Sequence, residues 1–344
     1  MTRVCGSPCN HVDNGAVLAI LTITFPFFAL VACGYLAARC KMLALSAIPG
    51  LNSFVLFFAL PCMLYRFGAS APLAELLAPQ VALTYLLCAL LTVALCLLLT
   101  RRGRTGWNDA AFGALVAAFP NTGFMGVPLL VALLGQAAAT PVIVSLVVDM
   151  VITSSLCIAL SRLGPHAADG MPHASAAEAA AKALRGVAAN PLPWAIFAGA
   201  WVSWLHWELP QPVGKTVGLL ADAASPVALF TIGAVLARSQ ILSATDRAHA
   251  VPWQAYLPVA ALKLLVHPAL VWAVGSAAIA LGVALDPFAL KVLVLLAALP
   301  SASNVVLLAE RYGADSGRIA RIILASTAAA FFTFSGAVAL LSGR

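Results

Sequence analysis

Ten apolar runs, each bounded by charge, glycine or proline, occupy residues 16–38, 45–66, 77–100, 109–134, 140–162, 190–207, 215–238, 254–282, 287–310 and 316–341. A helix needs about 20 apolar residues to cross the hydrocarbon core of a bilayer. The runs are continuously apolar, without the alternation of a membrane β-barrel strand. They predict an all-α polytopic membrane protein with ten transmembrane helices. Composition agrees: 62% of the residues are hydrophobic and 9% charged, against about 45–50% and about 25% in soluble domains. The excess apolar surface has to meet lipid, and 344 residues leave no room for a second soluble domain of ordinary size. Soluble enzymes, nucleic-acid modules and disulfide-stapled secreted folds are excluded.

The residues outside the spans set the topology. Residues 1–15 are too polar for a removable signal peptide, and the run after them is too long to be one. They form an extracytoplasmic tail in which Cys5, Cys9 and His11 stand close together; without a second CxxC-type element no metal site is expected there. Cys33, Cys62, Cys88, Cys96 and Cys157 lie inside apolar runs and Cys40 just past one, where cysteine behaves as a small hydrophobe. Residues 163–189 separate two sets of five runs, so the expected units are 16–162, a connecting loop at 163–189 with one short helix over 175–185, and 190–344.

Loops after the odd-numbered spans hold Arg39, Lys41, Arg101, Arg102, Arg104, Arg162, Lys182, Arg185, Arg238, Arg247, Arg311, Arg318 and Arg321. The other side holds Arg3, Arg66, Lys215, Lys291 and Arg344. This asymmetry predicts that the odd loops are cytoplasmic, that both termini lie outside, and that the membrane is the cell inner (plasma) membrane. The basic residues are scattered, with no contiguous face for nucleic acid. Trp201, Trp204 and Trp207 at an outer span end, and Trp107 and Trp253 at inner ends, read as interfacial aromatic belts.

Five spans per half make the halves inverted repeats, an arrangement common in secondary transporters. The second span of each half carries a proline, Pro61 in FALPCM and Pro226 in ASPVALF, and the fourth carries a break, AAFPNTGFMGVP and AALPSASN. Pro120 removes a backbone donor, Gly123 and Gly126 loosen the next turn, and Pro128 interrupts again. Pro300, with Ser301, Ser303 and Asn304 behind it, acts alike. Non-helical backbone at membrane depth survives only inside protein or along a wet cavity, so two matching breaks predict discontinuous helices that meet near the midplane. Each exposes an N-terminal end that favours an anion. Pro120, Asn121, Thr122, Gly123, Pro300, Ser301, Ser303 and Asn304 are the predicted substrate-binding residues, and the predicted ligand is a small organic carboxylate.

Ionisable residues within spans are functional candidates. Asp149 in SLVVDMVI stands near mid-depth and is a candidate for proton coupling or structural pairing. Lys263 and His267 are one turn apart, ahead of Pro268. Lys263 is read first as snorkelling to the inner interface or pairing with Asp149, and otherwise as neutralising the substrate. His267 is read as a packed hydrogen bonder. Asp222 and Glu310 are placed at span ends.

AAFPNTGFMGVPLL, ALPSASNVVLLAERYG and LKLLVHP resemble the auxin efflux carrier family, in the bacterial branch that includes proteins named as malonate transporters. The resemblance extends over essentially the whole chain. It implies ten helices in two inverted five-helix repeats, outward termini, a cytoplasmic loop between the halves, and crossed fourth and ninth helices similar to those of bile acid symporters and sodium-proton antiporters. By that similarity Pro120, Asn121 and Pro300 match the crossover motif and Asn304 is the second-half polar contact. The family is not uniform in substrate.

The leading expectation is a secondary active transporter of a malonate-like dicarboxylate or other organic acid, working by alternating access with protons as the first coupling ion to test. The alternatives are a sodium-coupled organic anion symporter and a non-transporting membrane sensor of the same fold. An enzyme is not expected, because the spans contain no HExxH, GxSxG or paired catalytic carboxylates. No cofactor is expected. The expected partners are the bilayer, the organic anion, a proton or sodium ion, and at most a second copy of the chain in a homodimer.

Overall fold

In a computed structural model residues 14–70, 78–102, 105–163, 191–245 and 251–342 are described. Cys5, Cys9, His11 and the connecting loop beyond Leu163 lie outside the described residues. The helices are α1 (Asn14–Arg39), α2 (Ile48–Ser70), α3 (Pro79–Arg102), α4 (Trp107–Ala118), α5 (Thr122–Leu134), α6 (Gln136–Ser161), α7 (Pro191–Trp204), α8 (Gln211–Thr245), α9 (Leu257–Ala280), α10 (Pro287–Ala297), α11 (Val305–Arg311) and α12 (Ser316–Ser342). Among the described residues there is no strand. Seven of the helices, α1, α2, α3, α6, α8, α9 and α12, are long and apolar enough to cross a membrane. The runs 109–134 and 287–310 are each divided in two, as α4 with α5 and α10 with α11.

Four of these helices contain a wide π-helical turn, at Val55–Ala59 in α2, Thr122–Gly126 in α5, Asp149–Thr153 in α6 and Leu262–Val266 in α9. Three precede a proline closely: Pro61, Pro128 and Pro268. A proline has no N–H and its ring collides with the carbonyl four residues back, so widening the preceding turn relieves the clash. The turn in α6 has no proline. There the Ser154 hydroxyl donates to the Asp149 carbonyl oxygen at 2.8 Å.

The helices pack in two groups. In one, α1 lies along α8, α7 lies along α2, and α2 meets α8. In the other, α3 contacts α4, α6 and α9, α9 contacts α10, and α12 contacts α11 and α9. Helix α12 also touches α1 and α8, joining the groups. Within the first group the two long pairings rest on glycine. A Cβ on Gly34 would stand 1.8 Å from the Phe230 carbonyl oxygen and one on Gly233 1.9 Å from that of Val31. In the other pairing, a Cβ on Gly68 would meet the Ile196 oxygen at 2.3 Å and one on Gly199 the Tyr65 oxygen at 2.1 Å. Backbone is in contact with backbone, which supplies the close packing that drives helix association where no hydrophobic effect acts. Gly233→Val is expected to destabilise the protein by about 3 kcal/mol, seen as a lower thermal unfolding midpoint in detergent. A midpoint equal to that of the parent protein contradicts the contact.

Candidate functional site: the joint between two broken helices

Helix α4 stops at Ala118 because Pro120 cannot continue it. Phe119 is extended, at φ −91° and ψ 103°, and Asn121, at φ −75° and ψ 58°, turns the chain into α5. On the other side α10 stops at Ala297, and Pro300 through Asn304 lead into α11. The two interruptions lie antiparallel, with Pro120 opposite Ser301. Asn121 N–H donates to the Pro300 oxygen at 2.8 Å, and Ala302 N–H donates to the Phe119 oxygen at 3.0 Å.

These bonds flank the Pro120–Ser301 pair, which is therefore the non-hydrogen-bonded kind in an antiparallel ladder. A proline is tolerated at that position because no donor is required of it. Backbone groups that a helix would have satisfied internally are satisfied across the joint instead, as they must be when buried.

The second break is repaired at both ends. In an unbroken helix Ser301 N–H would donate to the Ala297 oxygen. Here Ser301 N–H donates to Ser326 Oγ of α12 at 3.3 Å, and the Ala297 oxygen accepts from Lys263 Nζ of α9 at 2.9 Å. Lys263 Nζ also lies 3.0 Å from His267 Nδ1, and Lys263 and His267 are both fully buried, at 0% exposure. A donor that meets one of the last carbonyls of a helix satisfies a group the helix itself leaves open, so Lys263 caps α10.

This corrects the snorkelling reading of Lys263: the ammonium points into the protein rather than out along the span. The direct pair with Asp149 is not formed either; among the described residues the salt bridge is Arg66–Asp222. His267 lies against Lys263 through Nδ1, and its buried Nε2 has no hydrogen-bond partner among the described residues.

Asp149 is also fully buried, at 0% exposure. Tyr85 OH of α3 donates to its Oδ2 at 2.6 Å, and Thr153 Oγ1, one turn on, donates to its Oδ1 at 3.0 Å. Tyr85 is absent from the sequence-based site. Its signal is a tyrosine inside VALTYLLCALL, since a buried phenol needs a polar partner, but which partner it finds depends on how α3 and α6 meet.

The predicted binding residues separate into sealed and open ones. Asn121, Thr122 and Ser301 are buried, at 3%, 0% and 1% exposure. Ser301 Oγ has no hydrogen-bond partner among the described residues, which is unusual for a buried hydroxyl. Gly123 has room for a side chain, whereas a Cβ on Gly126 would come within 2.9 Å of Leu296 Cδ1, where α5 crosses α10. Ser303 and Asn304 are half-buried and line a cavity of about 820 Å³. Its further walls include Asn52 and Ser53 of α2 and Thr231 of α8, with Arg238 and Arg321 also lining it. The cavity lies between the two helix groups and reaches the joint at the second break.

Two apolar helices broken at matching places, bonded to each other at the breaks and reached by a cavity, are the arrangement a membrane transporter uses. The comparisons with known proteins name the family. The chain belongs to the membrane transport protein family, whose profile matches residues 19–338 and whose relatives include auxin efflux carriers. It is 31% identical over 94% of its length, and 96% of the relative's, to a Rhizobium meliloti protein named "Putative malonate transporter". It is 26% identical to the uncharacterized transporter YfdV of Escherichia coli, over 83% of this chain and 86% of that one. It is 24% identical to auxin efflux carrier component 8 of Arabidopsis thaliana, over 85% of this chain and 89% of that one.

Proposed function

We propose that this membrane transporter carries a small organic carboxylate by alternating access, in the cell inner membrane, with ten membrane crossings arranged as two inverted five-helix repeats. The observation that carries the reading is the backbone joint at Pro120 and Ser301 with neutral donors on both sides of it. Asn121 and Thr122 stand at the N-terminal end of α5; their own N–H groups are taken by the Pro300 and Pro120 oxygens, and the next ones, which have no carbonyl within the helix, favour an anion. Helix α11 has seven residues, too few for a strong end dipole, so on that side the hydroxyl of Ser303 and the amide of Asn304 are the donors. Neutral donors hold a carboxylate without the tight grip of a buried guanidinium. The name of the Rhizobium meliloti relative makes malonate the first substrate to try.

The repeat reading is supported by matched packing. Helix α1 meets α8 as α7 meets α2, with Gly34 and Gly233 at one contact and Gly199 and Gly68 at the other. Pro61 precedes Gly68 by seven residues, and Pro226 precedes Gly233 by the same seven. In this reading α4 with α5 is the fourth crossing, α10 with α11 the ninth, and α7 the sixth. Loop charges make the side bearing Arg238 and Arg321 cytoplasmic, so the large cavity is open to the cytoplasm and both termini lie outside.

Asp149 is the proposed proton-coupling group, with Tyr85 as its partner in this state. The test is uptake of radiolabelled mono- and dicarboxylates into proteoliposomes, with an imposed pH gradient, a sodium gradient, or neither. A carboxylate should accumulate with the pH gradient, and Asp149→Asn should remove that dependence while leaving exchange of internal for external substrate. If an uncharged solute is carried and no carboxylate is, the ligand reading fails. If Asp149→Asn leaves uptake and its pH dependence unchanged, or the sodium gradient drives uptake, the proton assignment fails.

A further inference from the structure

A second cavity, of about 470 Å³, lies where α5 faces α2 and α8. Helix α2 relates it to the large cavity: Ile48, at its start, lines the large cavity, and Ser70, at its end, lines this one. Its walls come from α2 and α8 on one side and from Pro128 and Val131 of α5, with Gln136 beyond, on the other. A movement of α5 against α2 and α8 would change its width.

The walls are mostly apolar, with Met63 and Phe67 beside Val131. Arg66 is the one cationic side chain among its described lining residues. Arg66 Nη1 donates to Asp222 Oδ1 at 2.6 Å, and the two side chains are 48% and 67% exposed. An ion pair so exposed contributes little to stability, and α2 and α8 already pack along each other without it. The pair is not needed to hold the helices. A guanidinium fork fits a carboxylate in geometry as well as charge. Asp222, a carboxylate of the protein itself, takes one nitrogen of that fork, Nη1, while the large cavity at the opposite end is open.

We infer that Arg66 is an anion-docking residue for substrate arriving from the side opposite the large cavity, and that Asp222 holds its place until a substrate carboxylate displaces it. The ligand class is a small organic carboxylate, and the inference rests on the carboxylate reading proposed above. It would give a substrate approaching from that side a charged first contact, ahead of the neutral donors at the joint. The geometry has a simple consequence: the two carboxylates compete for one guanidinium, so removing Asp222 should strengthen docking and removing Arg66 should weaken it.

The experiment measures the KM for radiolabelled malonate and succinate from each side of the membrane, in proteoliposomes of the full chain. Arg66→Gln should raise KM from the Arg66 side by about tenfold, the scale of one lost charge-assisted hydrogen bond, and leave KM from the other side unchanged. Asp222→Asn should lower KM from the Arg66 side. The swap Arg66→Asp with Asp222→Arg rebuilds an ion pair with its ends exchanged and should not restore the parent KM. If the swap restores it, the pair is a structural tether and the inference is overturned. It is equally overturned if the parent protein carries a carboxylate but Arg66→Gln leaves KM within about twofold of it. A parent protein that carries neither malonate nor any other carboxylate of the panel overturns the carboxylate reading, and this inference with it.

Discussion

Replacing Lys263 with methionine is expected to lower the thermal unfolding midpoint and to cut transport severely. Lys263 Nζ supplies a donor to the Ala297 oxygen and lies beside His267 Nδ1, and all of this is buried. A methionine fills a similar volume but donates nothing, leaving the carbonyl at the end of α10 without a partner. An unsatisfied buried acceptor costs about 1–3 kcal/mol, and His267 Nδ1 loses its polar neighbour as well.

Removing a buried polar head group returns some of that cost, so stability alone understates the effect. The larger consequence is positional. The end of α10 sits three residues before Pro300, whose oxygen holds Asn121 N–H in the joint, so a displaced α10 misplaces the donors on both strands. Uptake in proteoliposomes should fall by at least about tenfold, alongside an unfolding midpoint measured in detergent. Parent-like values of both would refute the capping role. Ser326→Ala removes the matching acceptor for Ser301 N–H and should give a smaller loss in the same direction, because its backbone partner is a neutral group.

Asn304→Ala is expected to do the opposite: parent-like folding with impaired transport. Asn304 is half-buried and faces the large cavity with Ser303, so truncating it leaves no orphaned group in a sealed core. If its amide donates to the substrate carboxylate, its loss removes a hydrogen bond to a charged group, worth about 1.5–3 kcal/mol, or roughly 10- to 100-fold in apparent affinity. The measurement is KM for a transported carboxylate from the cavity side, with the unfolding midpoint as control. An unchanged KM would move the binding site away from the second break. Asn121→Ala tests the first break in the same way, although Asn121 is sealed at 3% exposure, so some loss of stability should accompany its effect.

Much of the fold is legible in the chain because its signals are local. A run of apolar residues announces itself within about 20 positions, and a proline interrupts the helix it sits in regardless of what surrounds it. The breaks at Pro120 and Pro300 are accordingly visible in one dimension. The partners of the buried polar groups are not. Lys263 meets a carbonyl 34 residues away, and Tyr85 reaches Asp149 across 64. In the sequence Lys263 can be read as snorkelling, as pairing with Asp149 or as meeting the substrate, and none of these readings names the carbonyl at the end of α10 to which it donates.

The glycine contacts show the same limit. Gly34, Gly68, Gly199 and Gly233 look in the sequence like any glycine of an apolar helix. Their role appears only when each is seen pressed against the backbone of a helix from the other half of the chain. Sequence alone settled that the chain is helical and made for lipid, and where two of its helices cannot continue, since hydrophobicity and proline act on the residues beside them. Tertiary structure decided that the interruptions are bonded to each other, that Lys263 and Ser326 repair the second of them, and which donors face the cavity. Those facts depend on groups brought together from distant parts of the chain, where an unpaired polar atom inside a membrane protein has no water to turn to.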